Sequence, residues 1–111
     1  MTPLADKILD LLKGHAAGRA NARKADALAR TAGCTWRQVM HAVEELRNAG
    51  IFVASARSGS PRGLYLPATD AERTEALGSF RRAALTMITT YNRLKRARRL
   101  ALADAGQRTF F

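Results

Sequence analysis

The stretch "DALARTAGCTWRQVMHAVEELRNAG", residues 26–50, holds two helical patterns separated by three residues, and so short a link joins them as one helix-turn-helix pair. Thr35 with Gln38 three positions on has the spacing of a capping box. In that arrangement each side chain satisfies a backbone N–H that the first turn leaves without a partner, so a helix begins at Trp36. Val39, Ala42, Val43 and Leu46 recur on one side as its buried stripe, and Gly50 stops it. Before the turn, residues from about Lys24 to Ala32 place Ala25, Leu28, Ala29 and Ala32 on a narrow apolar face that lets a neighbouring helix come close.

The flanking segments supply the rest of a small domain. "TPLADKILDLLKG" reads as a first helix: Thr2 caps, Pro3 suits the first helical position, Leu4, Ile8, Leu11 and Leu12 share a face, and Gly14 ends the run. "HAAGRANAR" reads as a connection with room for one short strand. After Gly50 the period changes. "IFVASAR" and "GLYLP" are β-prone and flank "SGSPR", which sustains neither helix nor strand, so the unit is a hairpin with a loose basic tip. From Asp70 to about Asp104 a long helical pattern returns. Leu77, Phe80, Ala84, Met87, Tyr91 and Leu94 step by three and four, the a and d positions of heptads, and "NRLKRARR" at 92–99 is a dense basic cluster.

At 111 residues the chain is sized for one core plus an appendage, divided here as 1–68 and 69–111. Nineteen Lys and Arg against nine Asp and Glu give a net charge of +10, which self-repels unless an anionic partner screens it. Nucleic acid is the commonest such partner. No apolar run is long enough to span a bilayer, and "MTPLADK" has neither a myristoylation glycine nor a charged-then-apolar signal, so no membrane role is expected. A single cysteine, Cys34, permits no internal disulfide and fits a reducing cytoplasm.

The order helix, helix, turn, helix, hairpin, carried by "ADALARTAGCTWRQVMHAVEELRNAGIFVAS", resembles the winged helix-turn-helix domains of bacterial, archaeal and phage DNA-binding proteins over roughly residues 4–67. The resemblance implies a mainly α fold with a small β-hairpin, a winged helix-turn-helix followed by a long C-terminal helix. It implies that helix 35–49 enters the major groove of double-stranded DNA and that the wing tip, 57–62, touches phosphate or minor groove. It also implies a small transcriptional regulator, cytoplasmic and nucleoid-associated, with a phage or plasmid origin in keeping with its size. A C-terminal helix that dimerises is common among such regulators.

Residue by residue, two readings stand side by side. Arg37, His41 and Glu44 lie opposite the buried stripe, with Gln38, Met40 and Glu45 on the flanks. Arg bonds guanine O6 and N7, and Gln bonds adenine N6 and N7, so Trp36, Arg37, Gln38, Met40 and His41 form the candidate base-reading set. The plain alternative is a solvated helix back. Trp36 either packs or lays its ring on sugar or a thymine methyl. Arg57, Ser58 and Arg62 at the tip, Thr35 in the turn, and Arg19, Arg23 and Lys24 at the start of the second helix form the candidate backbone-contacting set. The cations of the last helix, Arg81, Arg82, Arg93, Lys95, Arg96, Arg98 and Arg99, read equally as the polar face of that element. Its stripe at Leu77, Phe80, Ala84, Met87, Tyr91 and Leu94 either folds back on the first helix or forms a homodimer interface, and its length favours the dimer.

His41 has no partner at metal-ligand spacing, Cys34 has no activating base, and no phosphate-binding glycine loop, His-Glu-x-x-His or catalytic triad occurs, so neither metal, cofactor nor enzyme activity is expected. Two further function classes remain open. One is a winged-helix protein-interaction module acting on a replication, transcription or phage-defence complex. The other is sequence-independent coating of DNA.

Overall fold

The computed structural model describes the backbone of residues 1–109 and the side chains of residues 1–106. The last two positions of the 69–111 segment lie outside the described residues. In chain order the elements are α1 (Pro3–His15), a 3₁₀ turn (Arg19–Asn21), α2 (Ala25–Ala32), α3 (Trp36–Asn48), β1 (Ala54–Ala56), β2 (Gly63–Tyr65) and α4 (Asp70–Thr109). A first compact unit ends at Ala76 and a second begins at Leu77, so the opening turns of α4 belong to the first unit.

Thr2 accepts the Ala5 N–H at 3.2 Å and Pro3 occupies the first turn, which sets the start of α1. Ala5, Ile8 and Leu12 are its fully buried row, with Leu4, Leu9 and Leu11 only partly covered. The core face is therefore rotated from the one the leucines mark. Ala5 belongs to it, because steps of three and four along the helix carry Ala5 to Ile8 and Leu12. Gly14 does not end α1, which continues to His15; Gly14 is not among the glycines with positive φ. Gly33 does end α2. It adopts φ +72, which costs glycine no Cβ clash, and the chain then turns so that Cys34 N–H donates to Ala29 O at 3.0 Å. Lys24, read from the sequence as the first residue of α2, is its N-cap. Lys7 donates from Nζ to Ala32 O at 2.9 Å and so satisfies a carbonyl at the far end of α2.

The capping box of α3 is present. Gln38 N–H donates to Thr35 Oγ1 at 3.2 Å, and Thr35 N–H donates to Gln38 Oε1 at 2.9 Å. Val39, Ala42, Val43 and Leu46 are buried against Ile8 and Leu12 of α1, Leu28 of α2, and Val53 and Leu64 beyond α3. A fully buried leucine such as Leu46 contributes about 2 kcal/mol by removing its apolar surface from water.

β1 and β2 pair antiparallel with Ala54 opposite Tyr65, Ser55 opposite Leu64 and Ala56 opposite Gly63. The strands are shorter than the segments 51–57 and 63–67 because their ends bond elsewhere. Ile51 N–H closes α3 on Leu46 O, while Leu66 turns to the α1–α2 connection, donating to Ala16 O and accepting from Gly18 N–H. That connection holds no strand of its own; it contributes the 3₁₀ turn and two isolated bridges, at Ala17–Leu66 and Arg23–Leu64. Arg23 and Leu64 exchange both backbone bonds, at 2.9 and 2.7 Å, so β2 is paired on both edges. A smaller cluster of Ala22, Ala54, Tyr65 and Ala76, flanked by Phe52, joins this layer to the start of α4. There Thr69 Oγ1 accepts the Glu72 N–H at 3.2 Å.

From Leu77 to Gly106 α4 is exposed along nearly its whole length, and at 1.5 Å per residue the complete helix is about 60 Å long. It passes Asp104, the end expected from the sequence, and reaches Thr109. Among the described residues no helix is long and apolar enough to cross a membrane.

Gly63 has φ +133, and a Cβ there would stand 2.1 Å from Arg23 O. Gly63→Ala therefore strains its own backbone and forces apart the Arg23–Leu64 bridge. The expected loss is about 2 to 4 kcal/mol, read from the urea midpoint.

Candidate nucleic-acid interface

Turned on its axis, α3 carries Arg37, His41, Glu44 and Asn48 as one exposed ridge, since steps of four and three return to the same side. Trp36 flanks the ridge at the first helical position and is 55% exposed, so the indole is not packed as a core ring. The side chains of Arg37 and His41 make no hydrogen bond or ion pair among the described residues. The first turn of α3 carries no acid, so the positive end of its dipole and the Arg37 guanidinium face the same region unopposed.

The flanks are differently committed. Gln38 Oε1 serves the capping box, which leaves only its amide NH2 to offer. Met40 is partly buried against the core, so it is withdrawn from the ridge. Glu45 accepts from Thr2 N–H and from Thr2 Oγ1, both at 2.8 Å, and ties the N-terminus to α3. The hydroxyl bond first and the backbone bond second hold the Glu45 carboxyl below its ordinary value.

The hairpin tip is braced from inside. Arg19 donates from Nη1 to Pro61 O and from Nη2 to Ser58 O at 2.8 Å, and its guanidinium carbon is 6.0 Å from the centre of the Tyr65 ring. Its own N–H donates to Glu72 at 2.8 Å. Arg19 thus holds the tip in place rather than offering a free charge, and Ser58 enters these bonds through its carbonyl. Burial first, and the nearby Glu75 carboxylate second, push the Tyr65 phenol above its usual range.

Between the start of α2 and the tip lies an open groove of about 790 Å³ whose lining includes Arg23, Lys24, Arg30 and Arg62, with Asp26 the carboxylate among them. Arg23 gives its Nε to His15 O at 3.3 Å and Arg62 its Nε to Gly59 O at 3.3 Å. Those bonds fix the stems and leave the terminal amino groups to face outward. Arg57 is exposed at the end of β1. Arg30 and Asn48 were not among the residues singled out in the sequence. The signal for Asn48 was helical spacing, since it lies seven residues after His41 on α3; Arg23 precedes α2, so no such spacing marks Arg30. Among the described residues no group of three His, Cys, Asp or Glu could hold a metal ion. Cys34 is half-buried against the core.

The chain matches no family model, no curated protein and no solved structure.

Glu45 releases its proton more readily in the folded chain than in the unfolded one, so its bonds to Thr2 contribute fully above the ordinary glutamate value of 4.5 and are lost as pH falls below it. Glu45→Gln should lower the urea midpoint at neutral pH, and the gap from the unaltered chain should close as pH drops from about 6 to about 3. A gap independent of pH would assign the effect to packing instead.

Proposed function

We propose that the first unit is a winged helix-turn-helix domain that binds double-stranded DNA, and that the chain acts as a small, sequence-specific transcriptional regulator. The observation that carries the proposal is the α3 ridge. Arg37 and His41 stand exposed beside an exposed Trp36 at a capped, acid-free helix start, on a chain of charge +10. In this reading α3 lies in the major groove, Arg37 bonds a guanine edge, His41 reads the next position, and the Trp36 ring meets sugar or a thymine methyl. The β1–β2 hairpin is the wing. Arg57 and Arg62 at its tip, with Arg23, Lys24 and Arg30 in the groove, neutralise phosphates and fix the register.

In the second unit, Leu77, Met87, Tyr91 and Leu94 of the heptad stripe are each more than half exposed, and Ala84 is exposed with them. The proposed occupant is the same stripe of a second copy. A seam of a and d residues buries itself best against an identical seam, and a two-fold pair of reading helices suits a palindromic operator.

Arg37→Ala should cost about 1 to 3 kcal/mol at the preferred site and relax the preference there, whereas Arg62→Ala should weaken all duplexes about equally. Gel-shift titrations against a selected site and a random duplex make the comparison. Equal behaviour of the two variants refutes the division between reading and holding. Affinity equal for every duplex marks a coating protein, and no duplex binding at physiological salt marks an interaction module.

Met87→Asp with Leu94→Asp would bury unpaired charges in the proposed seam, which is too costly to persist. Sedimentation at tens of micromolar should then find a dimer for the unaltered chain and a folded monomer for the variant. An unaltered chain that sediments as a monomer ends the dimer proposal.

A further inference from the structure

Between Glu75 and Asp104 the chain has no Asp or Glu, yet it carries Arg81, Arg82, Arg93, Lys95, Arg96, Arg98 and Arg99. The densest part, 93–99, lies wholly within α4, and every side chain in it is exposed. Its cations are neighbours at steps of three and four (93 with 96, 95 with 98 and 99, 96 with 99), where like charges oppose the helix. No carboxylate relieves them: the ion pair found among the described residues is Asp70 with Arg73.

An ordinary solvated face does not account for the placement. At 100° per residue, Lys95 falls in line with Leu77, Arg98 with Phe80, and Arg99 beside Ile88, while Arg93 and Arg96 lie on other sides. The side of α4 that is apolar as far as Leu94 is therefore broken by Lys95 and Arg98 before Leu102, in line with Ala84, restores it. A helix lying in a membrane surface would need its apolar face to continue, and a polar face would keep its charges opposite the stripe. Lys95 and Arg98 interrupt the first pattern and depart from the second.

The spacing fits a different surface. From Arg93 to Arg99 the helix rises about 9 Å, and duplex DNA presents one phosphate charge per roughly 1.7 Å of axis, or about five over that rise. Arg93, Lys95, Arg96, Arg98 and Arg99 supply the matching positive charge. We propose that residues 93–99 of α4 form a second, sequence-independent site for the phosphate backbone of duplex nucleic acid, distinct from the α3 ridge and the groove beside the hairpin. The proposal deepens the DNA-binding reading of the first unit and rests on it only in the choice of ligand.

The test uses the full chain with Arg93→Gln, Lys95→Gln, Arg96→Gln, Arg98→Gln and Arg99→Gln combined; Gln is a good helix former, so α4 persists. A second variant replaces the four arginines by Lys and keeps the charge. Binding to a selected duplex and a random one is followed by anisotropy across a salt series. The Gln variant should lose about four from the slope of log affinity against log salt per protomer bound, with the ratio between the two duplexes unchanged, while the Lys variant keeps the full slope. An unchanged slope in the Gln variant overturns the proposal, as does an equal loss in the Lys variant. Vesicles containing phosphatidylserine form the other arm: vesicle binding lost in the Gln variant while its duplex slope is kept identifies a membrane partner and also overturns it. If Arg37→Ala leaves the preference intact while the Gln variant loses slope, the reading of α3 fails and this site stands. An unaltered chain that binds no duplex refutes both.

Discussion

The two backbone bonds between Arg23 and Leu64 are the constraint on which the first unit's arrangement depends. They take up the outer edge of β2, which would otherwise be an open row of donors and acceptors, and they fix the hairpin beside the start of α2. So close an approach leaves no room for a Cβ at position 63, hence glycine. It also brings Arg19 near enough to the tip to bond Ser58 and Pro61, so a loop of small residues acquires a defined shape. The basic groove is a by-product of this clasp, since Arg23 belongs to the bridge and Arg62 to the tip.

What could be read from the sequence was what depends on near neighbours. The start of α3 was legible because Thr35 and Gln38 are three residues apart, and its ridge was legible from helical periodicity. The edge pairing was not legible: residues 16–23 bond 64–66 through backbone atoms that nearly every residue possesses, more than forty positions away. For the same reason Arg19 read as a free cation, whereas its partners are carbonyls of a distant loop. Gln38 carried two readable roles, cap and base reader, and its carbonyl oxygen serves the cap. The stripe of α4 was visible in its spacing, and its large side chains stand exposed.

The carboxylates are distributed as tightly as the cations are spread. Glu45 is held by Thr2, Glu72 by the Arg19 amide, and Asp70 by Arg73. Three of the nine carboxylates are thus tied down locally, at the N-terminus and at the start of α4. The hairpin tip and the 93–99 stretch of α4 carry cations and no carboxylate, so attraction to polyanions there should respond steeply to ionic strength.

If α3 reads bases as proposed, the commitment of Gln38 to its cap and of Met40 to the core limits how much information it would extract. With Trp36, Arg37 and His41 as the proposed readers, one protomer would specify only about three base pairs, a word that recurs by chance about every 64 positions. Against roughly a million or more competing sites in a genome, discrimination of that order leaves a single domain scattered over DNA at large. A second reading helix multiplies the word length, and phosphate contacts elsewhere in the chain lengthen each visit without adding letters. On the proposed reading, the vocabulary would be set less by the chemistry of the reading residues than by how many copies of them met the same duplex.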